Sequence, residues 1–343
     1  MSRLLSDVGV ELPVLAAPMA GGAGTTGLVT AAARSGSLGF LAGGYKTAEA
    51  LAEQIVTLQA ENVPFGVNLF AGEPVPVSAE EYRRYAHTLQ PEADGYGLRL
   101  NDGPPVEDDD GWAEKIDLVL GTSVPWVSFT FGIPDRSVVM ALRRSGTTVL
   151  QTVTSADEAR LAAEAGADAL IVQASAAGGH SGTLTPDRPP SPASLPDLVV
   201  SVRHTTALPI VAAGGIATSA DAAAALRAGA DATMIGTLLL RTDESGASAT
   251  HKQALADPAF AATTVTRAFT GRPARALRNY FTDRYDPVAP AGYPAVHHLT
   301  AALRRAAAEA GDPRLVHLWA GTGYRQARQE PVARTMQRIT ARL

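Results

Sequence analysis

The stretch Ala165-Gly-Ala-Asp-Ala-Leu-Ile-Val-Gln-Ala-Ser-Ala-Ala-Gly-Gly-His180-Ser-Gly182 carries a helix end, a buried strand and a polar glycine loop in immediate succession. The apolar run Ala169–Val172 follows the Ala-Gly-Ala-Asp turn directly. A short, uninterrupted apolar run of this kind reads as a parallel strand covered on both faces. Gln173 and His180 then lie where such a strand hands over to its loop. Gly178 and Gly179 carry no Cβ, so the main chain there can approach a flat ligand closely. Taken alone, the loop reads equally well as a glycine-rich surface turn with a solvated histidine. The other strand ends decide between the two.

Seven further apolar runs have the same character: Val14–Ala17, Leu38–Leu41, Phe65–Leu69, Trp126–Phe129, Thr148–Gln151, Ile210–Ala213 and Ala232–Ile235. Each is followed by an alanine-rich helical pattern or by space for one. Eight βα units predict an α/β fold, a (β/α)8 barrel of the TIM type, with an open doubly wound sheet as the competing arrangement. A weak repeat supports the alternation: Ser155-Ala-Asp with Ala165-Gly-Ala-Asp-Ala recurs as Ser219-Ala-Asp with Ala228-Gly-Ala-Asp-Ala. In both copies the serine reads as an N-cap and the glycine as a helix end, and Glu158 completes a capping box with Ser155. Residues 71–122, after the third strand, read as an insertion over the barrel mouth, with helical pieces near 78–89 and 111–121. Within it, Glu107-Asp-Asp-Asp110 reads as a solvated loop, since metal ligands are spaced rather than consecutive. The expected division is a barrel over 1–241 and a helical, substrate-side addition over 242–343.

Composition narrows the function classes. The chain of 343 residues is 46% hydrophobic and 18% charged, with a net charge of −5. Its pI near 5.8 argues against a nucleic-acid partner, which usually demands a basic patch. With no cysteine, disulfides, thiolate catalysis and iron–sulfur clusters are excluded, and no metal site is expected. No run of apolar residues is long enough to span a membrane. The opening Met1-Ser-Arg-Leu-Leu-Ser-Asp7 lacks the apolar region of a signal peptide, so a cytoplasmic, soluble protein is expected.

If the barrel forms, chemistry belongs at the C-terminal ends of its strands. Those ends read Pro18-Met19-Ala20-Gly21, Asn68, Thr130-Phe131-Gly132, Gln151, Gln173 with Gly178-Gly179-His180, Gly214-Gly215, and Met234-Ile235-Gly236-Thr237. Glycine turns after the last two strands, with a short helix starting at Thr237, suit a phosphate held by backbone N–H groups. The amides of Asn68, Gln151 and Gln173 suit the edge of a flavin, which shows both donors and acceptors, although any of them could equally cap a barrel rim. No Gly-x-Gly-x-x-Gly follows the first strand in the register of a dinucleotide-binding fold, and no Walker sequence is present.

Together these segments closely resemble the nitronate monooxygenases, once called 2-nitropropane dioxygenases, of the bacterial class. The matching pieces are Ala17–Gly22, Phe65–Phe70, Val127–Gly132, Ala177–Gly182, Ala212–Ile216, Met234–Thr237, Thr266–Arg275 and Leu318–Gly323. The resemblance runs from about Pro13 to Tyr324. Ala-Gly-Gly-His alone is shared with related flavin enoyl reductases; Gly-Val-Asn-Leu-Phe and Trp-Ala-Gly narrow the choice. The resemblance implies FMN in the barrel and turnover without reduced nicotinamide. It places His180 at the catalytic base, and Asn68, Gln173, Gly178, Gly215 and Met234 to Thr237 at FMN-binding positions. The family often has glutamate at Ala176, glycine at Ala174 and histidine at Thr130. The last departure bears on substrate choice, because a small, uncharged neighbour holds a carboxylated substrate less firmly. Any replacement cation from the C-terminal addition would be an arginine, with Arg267, Arg272 and Arg275 nearest by motif.

The activity so implied is oxidation of alkyl nitronates, with nitroalkanes as a further substrate class, by dioxygen to carbonyl compounds and nitrite, by a monomer or homodimer. An imidazole titrates near neutral pH, so His180 could take a nitroalkane α-proton or, protonated, stabilise a nitronate. Tyr293 and His297 would close the substrate pocket. An NAD(P)H-dependent FMN reductase acting on quinones or enoyl thioesters shares the same barrel and loop, and a non-enzymatic flavin-binding protein is the third reading.

Overall fold

The computed structural model describes residues 10–343; the stretch read for a signal peptide lies outside the described residues. Strands β1 (Val14–Ala16), β2 (Gly39–Ala42), β3 (Phe65–Phe70), β4 (Trp126–Thr130), β5 (Thr148–Val153) and β6 (Ala169–Gln173) follow one another around a sheet. The two-residue strand β7 (Gly179–His180) lies outside it, and β8 (Ile210–Ala213) and β9 (Ala232–Ile235) complete the ring. Every pairing is parallel, and β9 closes on β1 with Leu15 opposite Met234. Closure excludes the open sheet. Side chains alternate between the barrel axis and the helical wall. Leu15, Phe40, Trp126, Leu150, Ile171, Val211 and Met234 fill the interior, and Gly66 leaves the space that the Phe40 ring occupies.

The helices start where hydroxyl residues accept orphan N–H groups: Thr25, Thr47, Ser78, Ser155 and Ser194 each cap one. In the second copy of the repeat the cap is Thr218 rather than Ser219, because Asp221 at the third helical position completes a reciprocal capping box with Thr218. Glu158 departs from expectation as well. Its carboxylate accepts from the Thr154 N–H and hydroxyl on one side and from Thr183 and Leu184 on the other. It thus ties the loop after His180 to a barrel helix.

Residues 71–122 divide instead of forming one excursion over the mouth. Helix Trp112–Gly121 packs between helices Ala48–Ala60 and Arg136–Arg144 and buries Ile116 and Val119 against β3 and β4, so it belongs to the barrel wall. Helix Ala79–Asp94 leans on helix Ala295–Glu309 through Tyr82, Tyr85 and Leu89. The acidic run is not a free loop either. Asp110 pairs with the buried Lys115 at 2.6 Å and accepts the Tyr45 N–H at 2.8 Å, while Asp108 lies 2.7 Å from His298.

The C-terminal addition contains strands as well as helices. Strands β10 (Thr263–Thr266) and β11 (Ala274–Leu277) pair antiparallel, and β11 then pairs with β7. After this excursion the chain returns to the barrel. Helix Val332–Thr340 buries Val332, Met336 and Ile339 against helices Thr26–Arg34 and Ser219–Arg227, occupying the gap between the last and first βα units. The sequence placed it with the addition because a single amphipathic helix does not show its partner.

Candidate functional site

A cavity of about 430 Å³ opens at the C-terminal ends of the barrel strands, within the size range of small-molecule sites. Pro18, Met19, Ala20, Gly21, Asn68, Thr130, Gln173, Gly178, Gly179, His180, Gly214, Gly215, Met234, Ile235, Gly236 and Thr237 all line it, and so does His297. Tyr293 borders an adjoining hollow of about 680 Å³ that shares Tyr45, Phe70, Phe131 and His297 with the first. Gln151 is a correction. Leu150 points into the barrel interior, so by alternation along β5 Thr152 faces the cavity and Gln151 faces the wall. There the Gln151 amide donates to the carbonyls of Phe129, Gly132 and Thr152.

At one end of the cavity, three loops interleave with no room for side chains. Gly214 and Gly215 adopt φ of +103° and +80°, a region where a Cβ is strained. A Cβ on Gly178 would lie 2.5 Å from the Gly321 nitrogen, and one on Gly321 would lie 2.6 Å from the Ala176 oxygen. The third loop, around Gly321, comes from the C-terminal addition: its N–H donates to Thr237 Oγ1 at 2.9 Å, and the Thr322 N–H to the Ala176 carbonyl at 3.0 Å. The helix expected at Thr237 is a single 3-10 turn, Thr237–Leu239. It is too short to sum peptide dipoles, so an anion there relies on individual backbone N–H groups.

In the middle of the cavity the amides are sorted by their partners. Asn68 Nδ2 donates to the Ser128 carbonyl, the Ser128 hydroxyl and Thr130 Oγ1, which turns Oδ1 toward the cavity as an acceptor. Gln173 spends both ends of its amide on the histidine loop: Nε2 donates to the His180 carbonyl, and Oε1 accepts the Gly182 N–H at 2.7 Å. Its first task is to hold His180 in place. The Thr130 hydroxyl is likewise committed, to Asn68 at 2.9 Å and Thr152 at 3.3 Å.

His180 is positioned by the addition. Strand β7 pairs with β11 in the register Ala274↔His180 and Arg275↔Gly179, and the Ser181 N–H donates to the Pro273 carbonyl at 2.9 Å. The imidazole Nε2 lies 2.9 Å from Thr270 Oγ1. Trp319, Phe131 and Tyr293 surround the ring at centroid distances of 5.4, 5.6 and 5.7 Å. Phe131 holds φ of +81° to reach this place, a strained conformation of the kind that clusters at functional sites. Burial, reinforced by the nearby Arg272 and Arg304 guanidiniums, pushes the His180 pKa down to about 3. The imidazole is therefore neutral at physiological pH rather than poised at its ordinary value.

No aspartate or glutamate lines the cavity among the described residues, whereas Arg304 and Arg305 do. Arg304 and Arg272 are buried, and neither has a carboxylate within ion-pair distance among the described residues. Arg272 lies over the Phe131 ring at 4.1 Å, donates to the Thr183 carbonyl and leaves Nε unpartnered. Burial without a counter-ion lowers both guanidinium pKa values to about 10, so both remain charged. A buried cation without a partner is costly, and an anionic ligand offsets that cost. Of the three arginines nearest by motif, Arg267 and Arg275 are spent on the carbonyls of Pro186 and Ser175, which leaves Arg272, over the Phe131 ring, and the unexpected Arg304 as the cations without a carboxylate partner beside the site. Tyr45, Thr152, Thr270, Trp319, Gly321 and Arg304 were missed in the sequence. Arg304 sits in an ordinary helical Arg-Arg pair, and only the tertiary packing distinguishes the buried member.

A family model described as nitronate monooxygenase matches residues 2–341. A probable nitronate monooxygenase of Staphylococcus saprophyticus is 34% identical over 333 residues, covering 94% of this chain and 92% of its own. One of Staphylococcus aureus (strain MRSA252) is 32% identical over 346 residues, covering 98% and 96%. Among solved structures, nitroalkane oxidase from Streptomyces ansochromogenes is similar with a TM-score of 0.93 at 47% identity, covering 99% of this chain and 97% of its own. FabK from Thermotoga maritima is similar with a TM-score of 0.77 at 26% identity, covering 99% and 95%.

Proposed function

The chain belongs to the nitronate monooxygenase family, and from that premise we propose that it uses FMN and dioxygen to oxidise alkyl nitronates, and nitroalkanes by way of their nitronates, to carbonyl compounds and nitrite. The observation that carries this reading is a neutral histidine in a cavity whose wall holds an unpaired, buried arginine and no carboxylate. Such a cavity favours an anion, and a nitronate is the anion of a carbon acid.

The residues fit the cofactor. The glycine loops around Gly178, Gly214 and Gly321 leave backbone at the surface where a Cβ would collide, which suits a phosphate tail, and Asn68 Oδ1 offers an acceptor to a heterocyclic N–H. When bound, FMN supplies the one-electron chemistry with dioxygen that no side chain here can perform. The remaining steps belong to the protein. His180, neutral, accepts the α-proton of a nitroalkane. The imidazolium so formed gains from the anion beside it, which raises its pKa while both are bound. With a preformed nitronate this transfer is bypassed. The addition over 242–343 supplies Thr270, Trp319 and Arg304 and is the substrate-side wall in this reading.

The test is direct. Purified protein should be yellow, and with an alkyl nitronate it should consume dioxygen and release nitrite without any nicotinamide. Rapid anaerobic bleaching by NADH or NADPH with no nitrite release would assign the reductase activity instead.

A further inference from the structure

His297 Nδ1 receives a hydrogen bond that fixes the ring's proton on the opposite nitrogen. The donor is Arg304, whose terminal nitrogen lies 3.2 Å from Nδ1 and 2.9 Å from the His297 carbonyl, while its Nε donates to Thr300 Oγ1 at 2.9 Å. All three residues fall on one face of helix Ala295–Glu309, so the guanidinium lies behind the imidazole along the helix. A guanidinium can only donate. Nδ1 must then be the lone pair, and the neutral ring carries its hydrogen on Nε2. Tyr45 stacks on the same ring at 4.0 Å with planes 5° apart, which holds its rotation. Tyr45 is in turn held by the Tyr293 hydroxyl at 3.0 Å. Nε2 has no protein partner among the described residues, and His297 lines the cavity.

We infer that His297 donates its Nε2–H to a substrate nitro oxygen, and that Arg304 is the positioning residue that fixes this tautomer. The inference rests on the nitronate reading above and assigns its second proton-handling group. When the α-proton leaves for His180, the electron pair moves into the nitro group and its oxygens become anionic. A donor already aimed there stabilises that charge more than the neutral ground state. Burial, with repulsion from Arg304 and neighbouring histidines, holds His297 well below the ordinary imidazole range, so it offers a hydrogen bond and keeps its proton.

The test combines a spectroscopic and a kinetic reading on the holoenzyme. With isotope-labelled histidine, nitrogen NMR of the His297 ring, assigned by its loss in His297→Gln, should show Nε2 protonated and Nδ1 bare. Arg304→Met should mix the two tautomers. His297→Phe should lower kcat/KM for a nitroalkane by about a hundredfold, and His297→Gln, which restores an N–H, should recover most of that loss. A protonated Nδ1 in the wild type overturns the inference, as does a His297→Phe enzyme within roughly threefold of wild type. A wild type that releases no nitrite overturns the nitronate reading, and the donor role with it. The NMR result, read without turnover, separates the two failures.

Discussion

At the scale of the residue, the property that matters most is that His180 is neutral. A base must be deprotonated before it acts, and a pKa near 3 makes that true across the working range. Acid therefore should not switch the reaction off where imidazole ordinarily titrates. For a neutral nitroalkane, kcat/KM should stay flat from pH 7 to about 5; an inflection near pH 6.5 would show that His180 is hydrated and titrates as a free imidazole. His180→Asn should nearly abolish turnover of the neutral nitroalkane, since an amide nitrogen is no base, and should affect a preformed nitronate much less. Equal losses on the two substrates would mean that the imidazole acts by position or charge instead.

At the scale of the element, two distant parts of the chain complete the barrel. Strand β11 pins β7, and the loop around Gly321 closes on Thr237. Helix Val332–Thr340 fills the wall between the first and last units, with Met336 fully buried against the helices on either side. Met336→Ala should cost roughly 2–5 kcal/mol in denaturant unfolding, the usual range for truncating a buried methionine. A loss below about 1 kcal/mol would show that the last helix is an appendage, since surface substitutions fall in that range.

At the scale of the whole molecule, the site carries a stability consequence. His251 is buried and His180 half-buried at the cavity wall, with pKa values lowered to about 4 and about 3, and His317 is lowered well below the ordinary range, in each case chiefly by desolvation. Each ring stays neutral in the native state while the unfolded chain takes up a proton near pH 6.5. The unfolded state then binds more protons, so stability rises with pH over this window and falls as pH drops from 6.5 toward 4. Each histidine contributes a slope of up to about 1.4 kcal/mol per pH unit. His251 donates Nε2–H to the Trp319 carbonyl at 3.0 Å, a bond that a glutamine can replace. His251→Gln should flatten the slope by about one proton in denaturant titrations between pH 7 and 5. An unchanged slope would show that His251 is hydrated and titrates normally.

The eight-fold alternation of apolar runs and alanine-rich helices was enough to determine the βα units, because each strand and helix announces its own period, whereas the β1–β9 pairing decided a closed barrel over an open sheet. The glycines at the strand ends likewise marked the mouth, since backbone that must approach a ligand or another loop closely has few residue types open to it. Gln151 shows where that reading ended: a shift of one residue along a strand reverses which face a side chain takes, and which of two successive residues points inward is not written in this apolar run. Arg304 and the pairing that holds His180 lay further out of reach. Which arginine is buried without a counter-ion, and which residues some 95 positions away fix the His180 loop, depend on contacts between segments distant in the chain. Desolvation is a property of the packed whole, so the neutral state of His180 was decided only by tertiary structure.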